Sequence, residues 1–150
     1  MTNWSKFVEE APVLAAAAQE RIRDLHIAYL ATTAPNGAPR VHPVSPIITE
    51  QGIFVFMEPS SPKGHDLRRG GRFALHPPVD APIPTVSQVF LAGRGRVIED
   101  PEEREAVLQA APYDVLDRMV LFELDVDNVM STSPGDPDPY EVVREFWPPR

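Results

Sequence analysis

The chain has 150 residues, no cysteine and a formal charge of −8, from 14 basic and 22 acidic side chains. That acidic balance argues against binding nucleic acid through its phosphates or docking on an anionic membrane. The missing thiols exclude disulfides, thiolate catalysis and cysteine-based zinc sites. The hydrophobic fraction of 43% is enough to build a core, and a single domain over residues 1–150 is expected. Within it, residues 1–25 form an N-terminal helical segment and residues 134–150 a proline-rich tail. No apolar run has the length of a bilayer span. The opening MTNWSKFVEE has no apolar signal-peptide core, so the cytoplasm is the expected location.

Residues 12–25, PVLAAAAQERIRDL, read as a helix. Pro12 suits the first turn, and Ala11, Ala15, Ala18, Ile22 and Leu25 make one thin apolar stripe that lets the helix lie close against a sheet. HIAYLATTA then reads as a strand, closed by a Pro35-Asn36-Gly37 turn. PRVHPVSPIITE and GIFVFMEP continue as two further antiparallel strands. Pro43 and Pro46 cannot donate ladder hydrogen bonds, so the second strand is expected at an edge or interrupted by a bulge. Residues 63–70 read as a short helix stopped by Gly70-Gly71, and RFALH as the fourth strand.

A proline-rich loop leads into the long fifth strand, VSQVFLAGRGRVIE, where Gly93 and Gly95 permit a bend or a close backbone approach. DPEEREAVLQAA reads as a helix with Asp100 as N-cap and Pro101 at its first position. In MVLFELDVDNV, Val120, Phe122, Leu124 and Val126 alternate with Glu123, Asp125 and Asp127, which predicts a sixth strand with one apolar and one polar face. Six strands with flanking helices imply a mainly β fold, a small antiparallel barrel. Such a barrel leaves edges and apolar faces to cover, and association into a dimer is expected.

Few residues are placed for chemistry. His26, His42, His65 and His76 are scattered, and no pair has the spacing of a helical metal motif. There is no nucleophile turn of the Gly-x-Ser-x-Gly type. GRG at 93–95 lacks the strand–glycine–helix setting of a dinucleotide fingerprint. No metal site and no catalytic side chain are assigned.

The stretch SSPKGHDLRRGGRFALH, residues 60–76, stands apart. It holds Lys63, Arg68, Arg69 and Arg72 against the single acid Asp66, a local charge of +3 in an acidic chain. Ser60, Ser61, Lys63 and the backbone N–H groups entering the helix at Gly64 to Asp66 have the donor set of an anion seat. Arg40, opening the second strand, is positioned to reach the same place. The plain alternative is that Ser61 is a helix cap and Lys63 is solvated.

AYLATTAPNGAPRVHPV, FVFMEPSSPKGHDLRR, RFALH and SQVFLAGRGRVIEDPEER, taken in this order, resemble the pyridoxamine 5'-phosphate oxidase-like family of flavin-binding split barrels. The resemblance runs from about Ile22 to Asp127. It implies a six-stranded split β-barrel, a homodimer, and flavin mononucleotide (FMN) in a groove between subunits. It implies a phosphate clamp of Arg40, Ser61 and Lys63 leading into Gly64. Backbone at Val41, His42, Pro43 and Val44 would edge the isoalloxazine ring, with Phe56 and Met57 near the ring or ribityl chain and Gln88 in contact with the flavin. Trp147 would stack on the flavin or the partner chain, or else plug the dimer.

The oxidases' longer C-terminal segment, whose Arg and His grip their substrate, has no counterpart in YEVVREFWPPR. The implied activity is therefore a flavin-dependent oxidoreductase with another small-molecule substrate. The alternatives are a reductase using the deazaflavin coenzyme F-420, a flavin carrier without turnover, and, ranked third among cofactors, haem binding.

Overall fold

Prolines decide where the sheet stops. In the computed structural model, which describes residues 1–150, β1 (Ala28–Thr33) pairs with β2 (Pro39–Val44), and β2 has no neighbour on its far side. Pro43 therefore sits where a missing N–H costs no ladder bond. Ser45-Pro46 then breaks the strand, and the chain resumes as the two-residue β3 (Ile47–Ile48), which pairs only with β4 (Ile53–Met57). The single second strand read from the sequence is thus two short ones at opposite edges.

Between these edges the order is β2-β1, then β5 (Arg72–His76), β6 (Gln88–Val97), β7 (Val120–Ser133) and finally β4-β3, with every pairing antiparallel. β7 is the spine. It pairs with β6 along its length, while its other side meets β4 through Val120–Glu123 and β8 (Val143–Trp147) through Val129–Ser133. One strand serving two partners on the same side is what splits the barrel. The bend falls between Ala92 and Gly93, where the register with β7 shifts. A Cβ on Gly93 would collide with the Asp125 carbonyl oxygen, so only glycine fits that crossing.

Helices cover the open faces. α1 (Asn3–Glu10) is capped by Thr2, whose hydroxyl accepts from the Ser5 N–H. α2 (Pro12–Leu25) buries Leu14, Ala15, Ala18 and Ile22, largely the expected stripe; Leu25 is exposed. With Trp4 and Phe7 they join the main core against Leu30, Leu75, Leu91, Phe122 and Leu124. α3 (Pro62–Arg68) ends at Gly70, whose φ of +72° is a left-handed conformation that favours glycine. α4 (Pro101–Ala110) starts at Asp100 as expected, the carboxylate accepting from the N–H groups of Glu102 and Glu103. It packs Val107 on a second, smaller core of Ile47, Phe54, Ile98 and Leu121. No helix is long and apolar enough to cross a membrane.

Two expectations are corrected. The face of β7 read as polar is solvated only in part: Leu121 and Glu123 are buried, with Glu123 held by Arg96 at 2.7 Å, while Asp125 and Asp127 are partly exposed. α4 covers the first part of that face, so there the period-two alternation separates two cores, and only beyond it core from water. The proline-rich tail is also not irregular throughout. It returns as β8, making eight strands rather than six.

Candidate anion and cofactor site

The loop after β4 and the start of α3 form the centre of the site. Pro62 at the first helical position fixes the entry, and Gly64 brings the helix close to the sheet. A Cβ there would lie 3.4 Å from the Phe122 ring and 3.6 Å from Met57 Sδ. Ser61 occupies the N-cap with extended backbone, yet its side chain makes no capping bond. Its Oγ is buried and has no hydrogen-bond partner at all. The cap reading of Ser61 therefore does not hold, and an enclosed hydroxyl without a partner calls for one. Lys63 is half-buried one position beyond Pro62. The chain has only one other lysine, Lys6, which pairs with Glu10, whereas Lys63 forms no ion pair.

Arg40 reaches this corner. On β2 it lies opposite Thr32, and both side chains meet Asp66 of α3: Thr32 Oγ1 donates to Asp66 Oδ2 at 2.7 Å and Arg40 Nε at 2.9 Å. Arg69 Nη2 donates to the other carboxylate oxygen. Asp66 is three residues from Lys63, hence on a neighbouring part of the helix surface. Arg40 spends only Nε on the carboxylate, and its two terminal nitrogens carry no hydrogen bond. Burial pushes the Asp66 carboxyl up, but the Thr32 hydroxyl, Arg69 and Arg40 together hold it below the usual carboxylate range.

A group whose folded value is depressed stabilises the fold above its unfolded value, about pH 4 for an aspartate, and loses that contribution as pH falls through the folded value. We expect the thermal midpoint of the native chain to drop more steeply below about pH 4 than that of Asp66→Asn, measured by circular dichroism. Parallel curves for the two would mean that the ion cluster does not form.

The other sequence-predicted residues separate by face. Val41 and Pro43 are exposed and project, with their partners Tyr29 and Ala31, from the outer side of the sheet; Arg40, His42 and Val44 alternate to the inner side. Gln88 is also on the outer side, where its carboxamide is 3.2 Å from His76 Nε2; the two line a pocket with Phe90, Met130 and Thr132. Phe56 projects toward α4 and lies 5.1 Å beneath the Arg104 guanidinium.

Met57 is 3% exposed and faces the main core. Trp147 is an internal side chain. It stacks against Phe7 of its own chain at 5.0 Å, and its indole N–H donates to Glu10 at 2.9 Å. At 4% exposure it is a core residue.

Sequence reading missed Asp66, Thr32 and Arg69. The signal for Asp66 was present as the lone acid in the basic stretch. Nothing local marked Thr32, which is 34 residues away from Asp66 in the chain.

A curled antiparallel sheet with split edges and flanking helices defines the split-barrel class, and this chain has that fold. The family model for pyridoxamine 5'-phosphate oxidase matches residues 14–133, and the chain belongs to that family. No curated protein sequence matches it.

Among solved structures, a NimC/NimA family protein from Clostridium acetobutylicum superposes with a TM-score of 0.63 at 17% identity, covering 87% of this chain and 90% of that one. A heme binding protein from Mycobacterium smegmatis gives a TM-score of 0.61 at 20% identity, covering 87% of this chain and 57% of that one. PhzG from Burkholderia lata 383, in complex with tetrahydrophenazine-1-carboxylic acid, gives a TM-score of 0.55 at 14% identity, covering 94% and 91%. Identities this low establish the fold alone.

Proposed function

We propose that the chain is an FMN-binding oxidoreductase acting on a small-molecule substrate. The observation that carries this reading is the corner itself: the buried Ser61 hydroxyl has no partner, and Lys63 beside it has no acid. A terminal phosphate supplies acceptors for both, and for the free nitrogens of Arg40, through charge-assisted hydrogen bonds. The donor set thus fits the phosphate of FMN, the cofactor its family typically uses.

Bound flavin supplies hydride chemistry at N5. The protein's own contribution is position and exclusion of water. Arg40, Ser61, Lys63 and the backbone at Gly64 anchor the phosphate end. The edge strand from Val41 to Val44 presents backbone groups that no neighbouring strand uses. Gln88 offers a carboxamide on the outer face.

That outer face also supports a homodimer as part of the proposal. Val41 is 63% exposed and Tyr29 47%. The strand register sets Pro43, Phe90, Met130 and Phe146 on the same side of the sheet. A continuous apolar sheet face of this kind calls for a cover, and a second copy would bring two such faces together and enclose the cofactor groove.

The test is the visible spectrum of the freshly purified protein, followed by fluorescence titration with FMN, the deazaflavin coenzyme and haemin. Saturable binding of FMN with a flavin spectrum is the expected result. Preference for the deazaflavin would move the protein to the F-420-dependent reductases, a Soret band would move it to haem binding, and binding of none would sink the cofactor reading. Turnover of a nicotinamide donor or a quinone acceptor by the flavin-loaded protein separates an enzyme from a carrier.

A further inference from the structure

Asp66 is 1% exposed, yet it is a carboxylate. Its two oxygens accept from three side chains on three different segments: Thr32 of β1, Arg40 of β2, and Arg69 just beyond α3. A buried charge is retained when it is fully paired, and this one is paired with two arginines that are themselves partly exposed, at 35% and 45% of their side chains. Long arginine side chains left to themselves sample many rotamers. Here both guanidinium groups are held by the same carboxylate, Arg40 through Nε and Arg69 through Nη2.

We infer that Asp66 is a positioning residue, which holds Arg40 and Arg69 beside Lys63 so that the corner takes a phosphate monoester. This rests on the phosphate-seat reading above. The local charge supports the ligand class. Arg40, Arg69 and Lys63 against Asp66 give +3 − 1, or +2, and a phosphate monoester carries about −1.5 to −2 at neutral pH. Of the two roles open to a carboxylate here, balancing charge and positioning the arginines, its bonds to both arginines point to positioning, without contact with the ligand.

The two roles make opposite predictions, which gives the test its edge. Asp66→Glu keeps the charge and displaces the carboxylate by one methylene. Asp66→Asn keeps the shape, removes the charge and turns an NH2 group toward one of the arginines. If Asp66 only balances charge, the Glu variant leaves phosphate affinity unchanged and the Asn variant raises it. If it positions, both variants lose phosphate affinity.

The measurement is the ratio of FMN to riboflavin dissociation constants, by fluorescence titration of the full chain. Riboflavin lacks the phosphate, so a general loss of structure weakens both ligands alike and leaves the ratio unmoved. The expected result is a preference for FMN in the native chain that falls about tenfold in both Asp66 variants, corresponding to renewed disorder of one to two arginine side chains. Arg69→Ala, at an exposed position, should show a fall of the same sign, and it keeps the test decisive should neither Asp66 variant fold. A native preference that survives in the Asp66 variants that fold, or in Arg69→Ala if neither does, overturns the role of Asp66 while leaving the seat in place. A native chain that binds neither flavin, or does not prefer FMN, overturns the seat and this inference with it.

Discussion

Trp147→Ala should lower the unfolding free energy by about 3–5 kcal/mol, the range for emptying a large aromatic site in a core. The residue is close to the C-terminus, where truncation is ordinarily harmless. Its surroundings say otherwise. The indole packs on Phe7, which is fully buried and in turn meets Trp4 edge-on at 5.6 Å. Its N–H is bonded to Glu10, and its backbone pairs with Val129 of β7. One side chain therefore ties β8 to α1 across nearly the whole sequence. Trp147→Phe separates the contributions: it retains most of the packing and loses the hydrogen bond to a carboxylate, for which about 1.5–3 kcal/mol is expected. Denaturant titration of both variants is the check. A loss below about 1 kcal/mol for Trp147→Ala would mean that β8 is dispensable to the fold.

This prediction lies where the sequence was least legible. The reading of residues 134–150 as a tail rests on the spacing of prolines and acids, and a short strand cannot outvote such composition. β8 exists because β7 extends to Ser133, past the alternating segment, and offers an unpaired side beyond Glu123, where its pairing with β4 stops at Phe54. That is a long-range opportunity with no local mark.

Local rules worked where local physics decides. The alanine stripe of α2, Asp100 as a cap, Gly70 as a helix stop and Gly93 at the register shift each follow from the residue's own backbone or periodicity. The edge position of β2 was legible for the same reason, since proline removes a donor wherever it stands. The site divides along the same line. Ser61 and Lys63 are close in sequence and were visible as a corner. Asp66 became more than a lone acid only when β1 and β2 delivered Thr32 and Arg40 to it, and Glu123 looked solvated until α4 covered its face.

Lys63→Ala and Arg40→Ala should each weaken FMN binding by about 1.5–3 kcal/mol, the range for hydrogen bonds to charged groups, or roughly 10- to 150-fold in dissociation constant. Riboflavin affinity should stay within a factor of about two, because the phosphate is the only part either side chain is proposed to hold. The two variants are not equally clean. Arg40 also bonds the buried Asp66 carboxylate, so its removal leaves that carboxylate short of a partner and should cost stability as well as affinity. Lys63 has no ion pair to lose, so a change in FMN affinity there reports on the ligand alone. The double variant should lose less than the sum, since both cations act on one phosphate and are coupled through it. The remaining affinity should also respond less to salt than that of the native chain, two charges having left the seat. Unchanged FMN affinity in both single variants would sink the clamp, and with it the explanation of why an acidic chain concentrates its positive charge at this corner.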